Sequence, residues 1–298
     1  MAAISAEPGA VAIKPESATR SEWVQAWRRF RSNRIAVGGA VFIILLIVIA
    51  FAAPILSPYD PLESVPGMRG VAPSLAHPFG FDHIGRDLLS RVLYGSRVAL
   101  IVGLFSTSIS VGIGILIGAA AGYFGGWIDT VLSRLLDTLM AFPIIALLVV
   151  LAAVLGPSLT TTVVVIGITS WARFARVVRA DVLSLKAEDF IMAAKSTGVS
   201  NWRIIIRHIL PNVLGPVIVL ASLGIGGIII LEAALSFLGL GVRPPTPSWG
   251  GILADGRPHL LRYPHISFFP GLMITLTVLA FNFMGDGLRD ALDPRQKT

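Results

Sequence analysis

Long apolar runs alternate with short polar stretches along this 298-residue chain. A helix needs about 20 mostly apolar residues to cross a bilayer, and six stretches satisfy that condition. They begin at Ile35, Ala99, Leu139, Leu159, Val213 and Ile266. The pattern predicts an all-α polytopic membrane protein with six transmembrane helices, organised as a tail of residues 1–34 and a transmembrane domain of residues 35–298.

Two features of these stretches predict how the helices pack. Gly114, Gly118 and Gly122 recur every four residues, and such a face lets another helix approach closely; exposure of the face to lipid is the less favoured alternative. Only the sequence GPSL connects the third and fourth stretches, so these are expected to form a tight helical hairpin. Pro143 in the third stretch can bend a helix and free backbone groups.

The tail ends in a basic, aromatic segment. Trp23, Trp27 and Phe30 follow helical spacing, and four arginines lie around them. The pattern is typical of a short interfacial helix on an anionic membrane surface, although a plain basic cluster beside the membrane explains it equally well. The first apolar run starts too far along the chain for a cleavable signal peptide.

Lysine and arginine are unevenly distributed between the connecting segments. If the N-terminus lies inside, seventeen of them fall on the inner side and seven on the outer side. Because positive residues concentrate in cytoplasmic loops, both termini are predicted to be cytoplasmic.

Composition supports the membrane assignment and excludes some kinds of site and partner. Hydrophobic residues make up 54% of the chain and charged residues 14%, whereas soluble domains are usually about one quarter charged. The absence of cysteine excludes disulfides and thiolate metal sites. The net charge of +7 is explained by arginines that flank the spans, so no nucleic acid is expected as a partner.

The sequence lacks the common motifs of nucleotide-binding, metal-dependent and serine-nucleophile sites. The chain has no GxxxxGK[ST] sequence for ATP, no HExxH and no GxSxG, and its five histidines lack metal-like spacing. We therefore expect no catalytic residue, no metal site and no cofactor bound by this chain.

One acidic residue lies within a predicted span. Glu232 is 19 residues after Val213, about 28 Å along a helix at roughly 1.5 Å per residue, which places it near the outer end of the fifth span. Because a charge inside a membrane is costly, Glu232 is a candidate pathway or gating residue. A carboxylate that reaches the outer interface is an equally good explanation.

Two segments are expected to cap the outer mouth of a pore. The first outer loop, about residues 57–97, contains an amphipathic helix from Leu88 onward. The second runs from Arg243 to Leu253 and is stiffened by prolines, with Trp249 expected at the membrane interface.

The segment between the fourth and fifth spans, about residues 184–212, contains helix and turn signals that a simple connecting loop does not need. Residues 188–196 score as a short helix, and Gly198 suits the left-handed residue that ends it. Ser200 suits the N-cap of a second short helix that ends at Pro211.

The first of these helices is expected to place Phe190, Ile191 and Ala194 on one face. A helix–turn–helix beside a pore that lacks an ATP motif indicates a docking loop for a separate motor. Two small residues, Ala193 and Ala194, leave room for the partner surface.

This segment resembles the EAA loop of ATP-binding-cassette (ABC) importer permeases. The matching positions are Ala193, Ala194, Gly198, Leu210 and Pro211, whereas Met192 stands where the family often has glutamate and His208 stands at the isoleucine position. Longer segments, including HPFGFDHIGRDLLSRVLYGSR and LSFLGLGVRPPTPSWG, are similar to the second permease subunit of dipeptide, oligopeptide and nickel importers. The resemblance extends over nearly the whole chain, and Glu188 and Arg207 complete the predicted ATPase-coupling loop.

The resemblance implies a type I ABC importer permease fold in a bacterial or archaeal cytoplasmic membrane. It further implies a homologous second permease subunit, two ATPase subunits (or one two-domain ATPase) that bind ATP and Mg, and an extracytoplasmic substrate-binding protein. Within the lipid bilayer the permease pair is then expected to work by alternating access.

Several alternatives remain open at this point. Glutathione or nickel complexes fit the same kind of permease as di- and oligopeptides. A proton-coupled secondary transporter is less favoured because mid-span acids are scarce and no inverted repeat is visible. A membrane-embedded enzyme would need clustered His, Asp or Ser at one depth, and the sequence shows no such cluster.

Overall fold

A computed structural model describes residues 18–292, and the predictions for residues 1–17 lie outside that part of the chain. The regular elements of the described residues are helices, joined by loops with two isolated β-bridges. They are α1 Ala18–Ser32, α2 Arg34–Leu56, α3 Leu88–Phe124, α4 Gly126–Ala141, α5 Ile144–Leu155, α6 Leu159–Lys186, α7 Asp189–Ser196, α8 Asn201–Ile204, α9 Leu210–Phe237, α10 Trp249–Gly256 and α11 His265–Leu292.

Five continuous helical segments of the described chain are long and apolar enough to cross a membrane. They are α2, α3, α6, the run Asn201–Phe237 and α11. The pair α4 and α5 passes the same test only when the two helices are taken together. The six predicted spans are therefore present when this bent pair is counted as one crossing.

The third span is sharply bent at Pro143, the position where the sequence predicted that a helix can bend. The axes of α4 and α5 differ by 88°, and the two helices meet at Phe142 and Pro143, both in extended conformation. Proline lacks an N–H and disfavours helical geometry in the residue before it. The 12 residues of α5 reach only about 18 Å at 1.5 Å per residue.

The amphipathic helix predicted from Leu88 and the span predicted from Ala99 form one continuous helix, α3. It starts at Leu88, with Asp87 as N-cap accepting a 2.8 Å hydrogen bond from Ser90 N. The irregular part of the first loop therefore ends at residue 87. Polar residues such as Arg91 in the early turns are buried beneath the neighbouring loops, so the helix continues although its local hydropathy is low.

The glycine face of α3 packs against α6, as predicted. A side chain at Gly118 would lie 2.5 Å from Ala175 O, and one at Gly122 would lie 2.9 Å from Arg179 O. Gly114 makes the same close approach to Phe174. These two helices form the centre of the bundle.

The loops gather at two opposite ends of the bundle. Residues 57–87 and 238–264 form what we call the cap, which contains α10. Trp249 of the cap is buried and donates a 2.9 Å hydrogen bond from Nε1 to Val92 O, so the expectation that it lies at the membrane interface was wrong. At the other end, residues 187–209 form what we call the helical loop.

Candidate coupling loop and buried polar sites

The turn of the helical loop has the predicted geometry. Helix α7 ends at Ser196, and Gly198 follows with φ +79°. The N–H of Val199 donates to Ala194 O at 3.1 Å, which closes the turn. No atom lies within 4 Å of the position of a Gly198 side chain, so the positive φ, and not crowding, is what favours glycine here.

The second half of the helical loop differs from the prediction. Ser200 occupies the N-cap position of α8, but its side chain makes no capping hydrogen bond. A π-helical turn, Ile205–Ile209, then joins α8 to α9, so the helix continues through Pro211 and does not end there.

The π turn explains how proline is accommodated. The N–H of Leu210 donates to Ile205 O in the wider π pattern, and Pro211, which has no N–H to donate, follows directly after this change of hydrogen-bond pattern. Helix α8, the π turn and the fifth span are consequently one continuous helical segment, Asn201–Phe237.

An apolar base fixes the helical loop to the bundle. Ile191 of α7 and Ile204 of α8 are fully buried and pack with Val178 and Val182 of α6. From α3, the Tyr123 hydroxyl donates a 2.8 Å hydrogen bond to Asn201 Oδ1 and closes the same base. The Nζ of Lys195 lies 5.1 Å from the Tyr123 ring centroid.

The predicted coupling residues divide into two groups. Ala194 and Leu210 are half-buried against the apolar base. The remaining members are exposed on the free surface of the loop: Glu188, Ala193, Gly198, Arg207 and Pro211.

Four exposed apolar residues of the helical loop were not predicted as part of its surface. They are Phe190, Met192, Trp202 and Ile206, and Trp202 is 69% exposed. Phe190 was expected on the same face as Ile191 and Ala194, but it points outward with a ring-centroid distance of 6.5 Å to His208. An apolar residue in a helix of eight residues carries little signal about which face is buried, because periodicity needs several turns.

Glu232 lies near the cap end of α9 and is enclosed by the chain, being 1% exposed. Its Oε1 accepts a 2.7 Å hydrogen bond from Ser236 Oγ. Ser236 Oγ in turn accepts from Val242 N at 3.2 Å. Glu232 therefore joins the end of α9 to the cap, and it does not extend to an exposed surface of the described chain.

A second buried polar cluster lies inside the cap. Asp82 Oδ2 accepts from Arg86 Nε at 2.6 Å and lies 3.4 Å from Arg91 Nε. Both arginines also approach Asp255 Oδ2 of α10, at 3.4 Å and 3.6 Å. Because Arg91 belongs to α3, these pairs join both cap loops to the transmembrane bundle.

The histidines of the cap have structural contacts. His77 Nδ1 lies 2.8 Å from Asp87 Oδ2, and its ring stacks on Tyr59 at a centroid distance of 4.4 Å. Within residues 18–292, no three His, Asp or Glu side chains are grouped as metal ligands.

Family models match two parts of the chain. The binding-protein-dependent transport system inner membrane component matches residues 114–298, and the N-terminal TM domain of oligopeptide transport permease C matches residues 21–78. The chain belongs to the dipeptide/oligopeptide family of ABC importer permeases. The resemblance seen in its sequence is thereby confirmed.

Relatives of this permease match it over almost their full length. It is 44% identical over 292 residues to the dipeptide transport system permease protein DppC of Alkalihalophilus pseudofirmus, covering 98% of this chain and 96% of the relative. It is also 44% identical over 284 residues to the glutathione transport system permease protein GsiD of Pectobacterium atrosepticum, covering 95% and 94%.

Solved structures confirm the predicted fold class. The inward-facing MetNI methionine ABC transporter matches with a TM-score of 0.56 at 18% identity, over 68% of this chain and 97% of that one. An amino acid ABC transporter matches with a TM-score of 0.53 at 17% identity, over 66% and 92%. The family model and the helices long enough to cross a membrane make this chain a multi-pass inner-membrane protein, and the relatives named above are permease proteins of transport systems.

Proposed function

We propose that this permease forms one half of a heterodimeric pore that imports di- or oligopeptides by alternating access. A homologous second permease supplies the other half, and an extracytoplasmic binding protein delivers the peptide at the cap end. ATP and Mg bind to two separate ATPase subunits or to one two-domain ATPase. Both termini and the helical loop then lie in the cytoplasm, in agreement with the distribution of positive charge.

The observation that carries this proposal is the construction of the helical loop. Its outer surface presents Phe190, Met192 and Trp202 to solvent, and exposed aromatic residues are typical anchors of protein interfaces. Its inner surface is packed against three long helices of the bundle. A partner that binds the outer surface of the helical loop can therefore displace the bundle helices and not only deform the loop.

The route of this displacement follows from contacts already described. Motion of α8 passes directly into the fifth span because the π turn keeps the helix continuous through Pro211. Motion of α7 reaches α6 through Ile191 and reaches α3 through Lys195 and Tyr123. The glycine face of α3 packs closely against α6, so these two helices are expected to move together.

Glutathione is a second candidate substrate, because the relatives named for glutathione transport are as similar to this chain as the dipeptide relative. Competition in uptake assays distinguishes the two. Cells that carry the complete transporter are given a labelled dipeptide with an excess of unlabelled glutathione, and the reverse experiment is done in parallel. A dipeptide importer keeps its dipeptide uptake when glutathione is in excess.

The coupling assignment is tested by removing the aromatic anchors. We expect Phe190→Ala/Trp202→Ala to reduce ATPase co-purification and peptide uptake by tenfold or more, since hot-spot truncations cost about 2 kcal/mol or more each. Trp127→Ala is the matched control, because Trp127 is also an exposed aromatic residue but lies in α4. Normal uptake with ATPase still bound to the double variant would show that the helical loop is not the coupling element.

A further inference from the structure

The helix α1 carries a basic, aromatic surface that no other described residue covers. Val24, Trp27, Arg28 and Arg31 share one face at helical spacing, and all four are exposed, with Trp27 59% exposed. Among the described residues, neither Arg28 nor Arg31 has an acidic partner. The side chain of Trp23, which was predicted on the same helix, lies outside the described part of the structure.

The opposite side of α1 is attached to the bundle. Phe30 is half-buried, and its ring lies 3.5 Å from the position of a Gly287 side chain on α11. Trp27 stacks on Phe30 with a centroid distance of 6.0 Å. The helix is therefore held in place by one aromatic ring while the other remains exposed beside the arginines.

Helix α2, which follows α1 directly, carries many exposed apolar side chains. Asn33 separates the two helices and caps α2 by accepting a 3.1 Å hydrogen bond from Ala36 N. Arg34 is exposed at the start of α2. Exposed apolar side chains then run the length of the helix, from Ile35 to Ile55, which is 86% exposed.

These positions fit one kind of ligand. The exposed apolar side chains in the first half of α2 can contact the acyl chains of one leaflet. Arg34 begins this helix, and Arg28 and Arg31 lie in the helix just before it, where the headgroup of such a lipid is expected. Guanidinium groups bind phosphate through paired, charge-assisted hydrogen bonds. Tryptophan prefers the same headgroup depth.

We propose that α1 and the start of α2 form a binding site for an anionic phospholipid, with the headgroup held by Arg28, Arg31 and Arg34 and the acyl chains along α2. The site is independent of the transported substrate and of the coupling role of the helical loop. It holds α1 against the bundle edge formed by α2 and α11.

Native mass spectrometry of the full-length chain in detergent tests the site. The protein is given equal amounts of phosphatidylglycerol and phosphatidylcholine with identical acyl chains. We expect preferential retention of phosphatidylglycerol. For Arg28→Gln/Arg31→Gln, the preference should fall about fivefold for each arginine removed.

The matched control is Arg69→Gln/Arg243→Gln, which removes two exposed arginines from the cap and should leave the preference unchanged. Equal retention of the two lipids by the wild type would overturn the proposal. So would an unchanged preference in the α1 variant, or an equal loss in the cap control.

A fluorescence measurement separates a lipid from a protein occupant. Phosphatidylglycerol with brominated acyl chains should quench Trp27 in the assembled transporter, and the Trp27→Phe variant identifies its contribution. If a partner subunit covered α1, Trp27 would be shielded and the quenching would be the same in both proteins, which would also overturn the proposal.

Discussion

Asp82 should be the most sensitive acidic residue of the cap. It is 1% exposed, and its Oδ1 accepts hydrogen bonds of 2.9 Å from Ile84 N and Arg86 N. Its other oxygen faces the Arg86 and Arg91 guanidinium groups. Replacing Asp82 by alanine removes these contacts and leaves Arg91 buried without its nearest counter-charge.

The expected loss follows from the cost of an uncompensated buried charge. Breaking a buried ion pair by removing one partner costs about 3–5 kcal/mol. Asp255 remains within 3.6 Å of Arg91 Nη2 and is 36% exposed, so water and a second carboxylate offset part of this cost. We therefore expect about 3 kcal/mol for Asp82→Ala, or a fall of roughly 6–10 °C in Tm for a chain of this size.

Thermal unfolding of the purified chain in one detergent, followed by tryptophan fluorescence, measures the effect. Asp82→Asn should give an intermediate loss, because the amide oxygen still accepts from the backbone while the charge is absent. Glu63→Ala is the matched control in the same loop, and its exposed side chain should change the free energy of unfolding by less than about 0.5 kcal/mol. If Asp82→Ala and Glu63→Ala unfold at the same temperature, the ion cluster does not hold the cap to α3.

Three further predictions concern the bundle and the helical loop. Gly118→Leu should prevent folding or lower Tm by more than 10 °C, because the new side chain would meet the α6 backbone. Gly112→Ala is the control and should be tolerated, because a side chain there meets no neighbouring element. Equal Tm values for the two variants would disprove the α3–α6 contact. Ala194→Trp should destabilise the apolar base, and limited proteolysis should then cleave the helical loop faster. Ala193→Trp changes an exposed position, so the loop should stay folded and only ATPase binding should be impaired. The reverse pattern would contradict the burial of these two residues. Glu232→Gln should retain uptake and most of the stability, because an amide oxygen still accepts the Ser236 hydrogen bond. Glu232→Leu should lose about 1–3 kcal/mol of stability. Full loss of uptake in the glutamine variant at unchanged Tm would instead indicate a pathway or gating role for the charge.

The sequence alone determined the features that depend on local chemistry. Hydropathy over a window of about 20 residues reports the free energy of placing a segment in lipid, and this identified the number of spans. The turn at Gly198 was predictable because a left-handed residue is set by the backbone of that position alone. Glycine spacing likewise identified the contact face of α3, because three small residues at intervals of four leave room on one side of a helix wherever its partner lies.

Tertiary structure decided the features that depend on residues far apart in the chain. The early turns of α3 have low hydropathy, and their polar groups become favourable only when Asp82 and the cap enclose Arg91. Glu232 is one carboxyl among apolar neighbours in the sequence, and Val242 of the cap joins its hydrogen-bonded pair with Ser236 only after the cap folds back onto α9. The continuity of α8 and α9 through Pro211 depends in the same way on a π turn held between α6 and the apolar base. Burial of polar groups is favourable only with partners in place, and a linear sequence does not state which partners will meet.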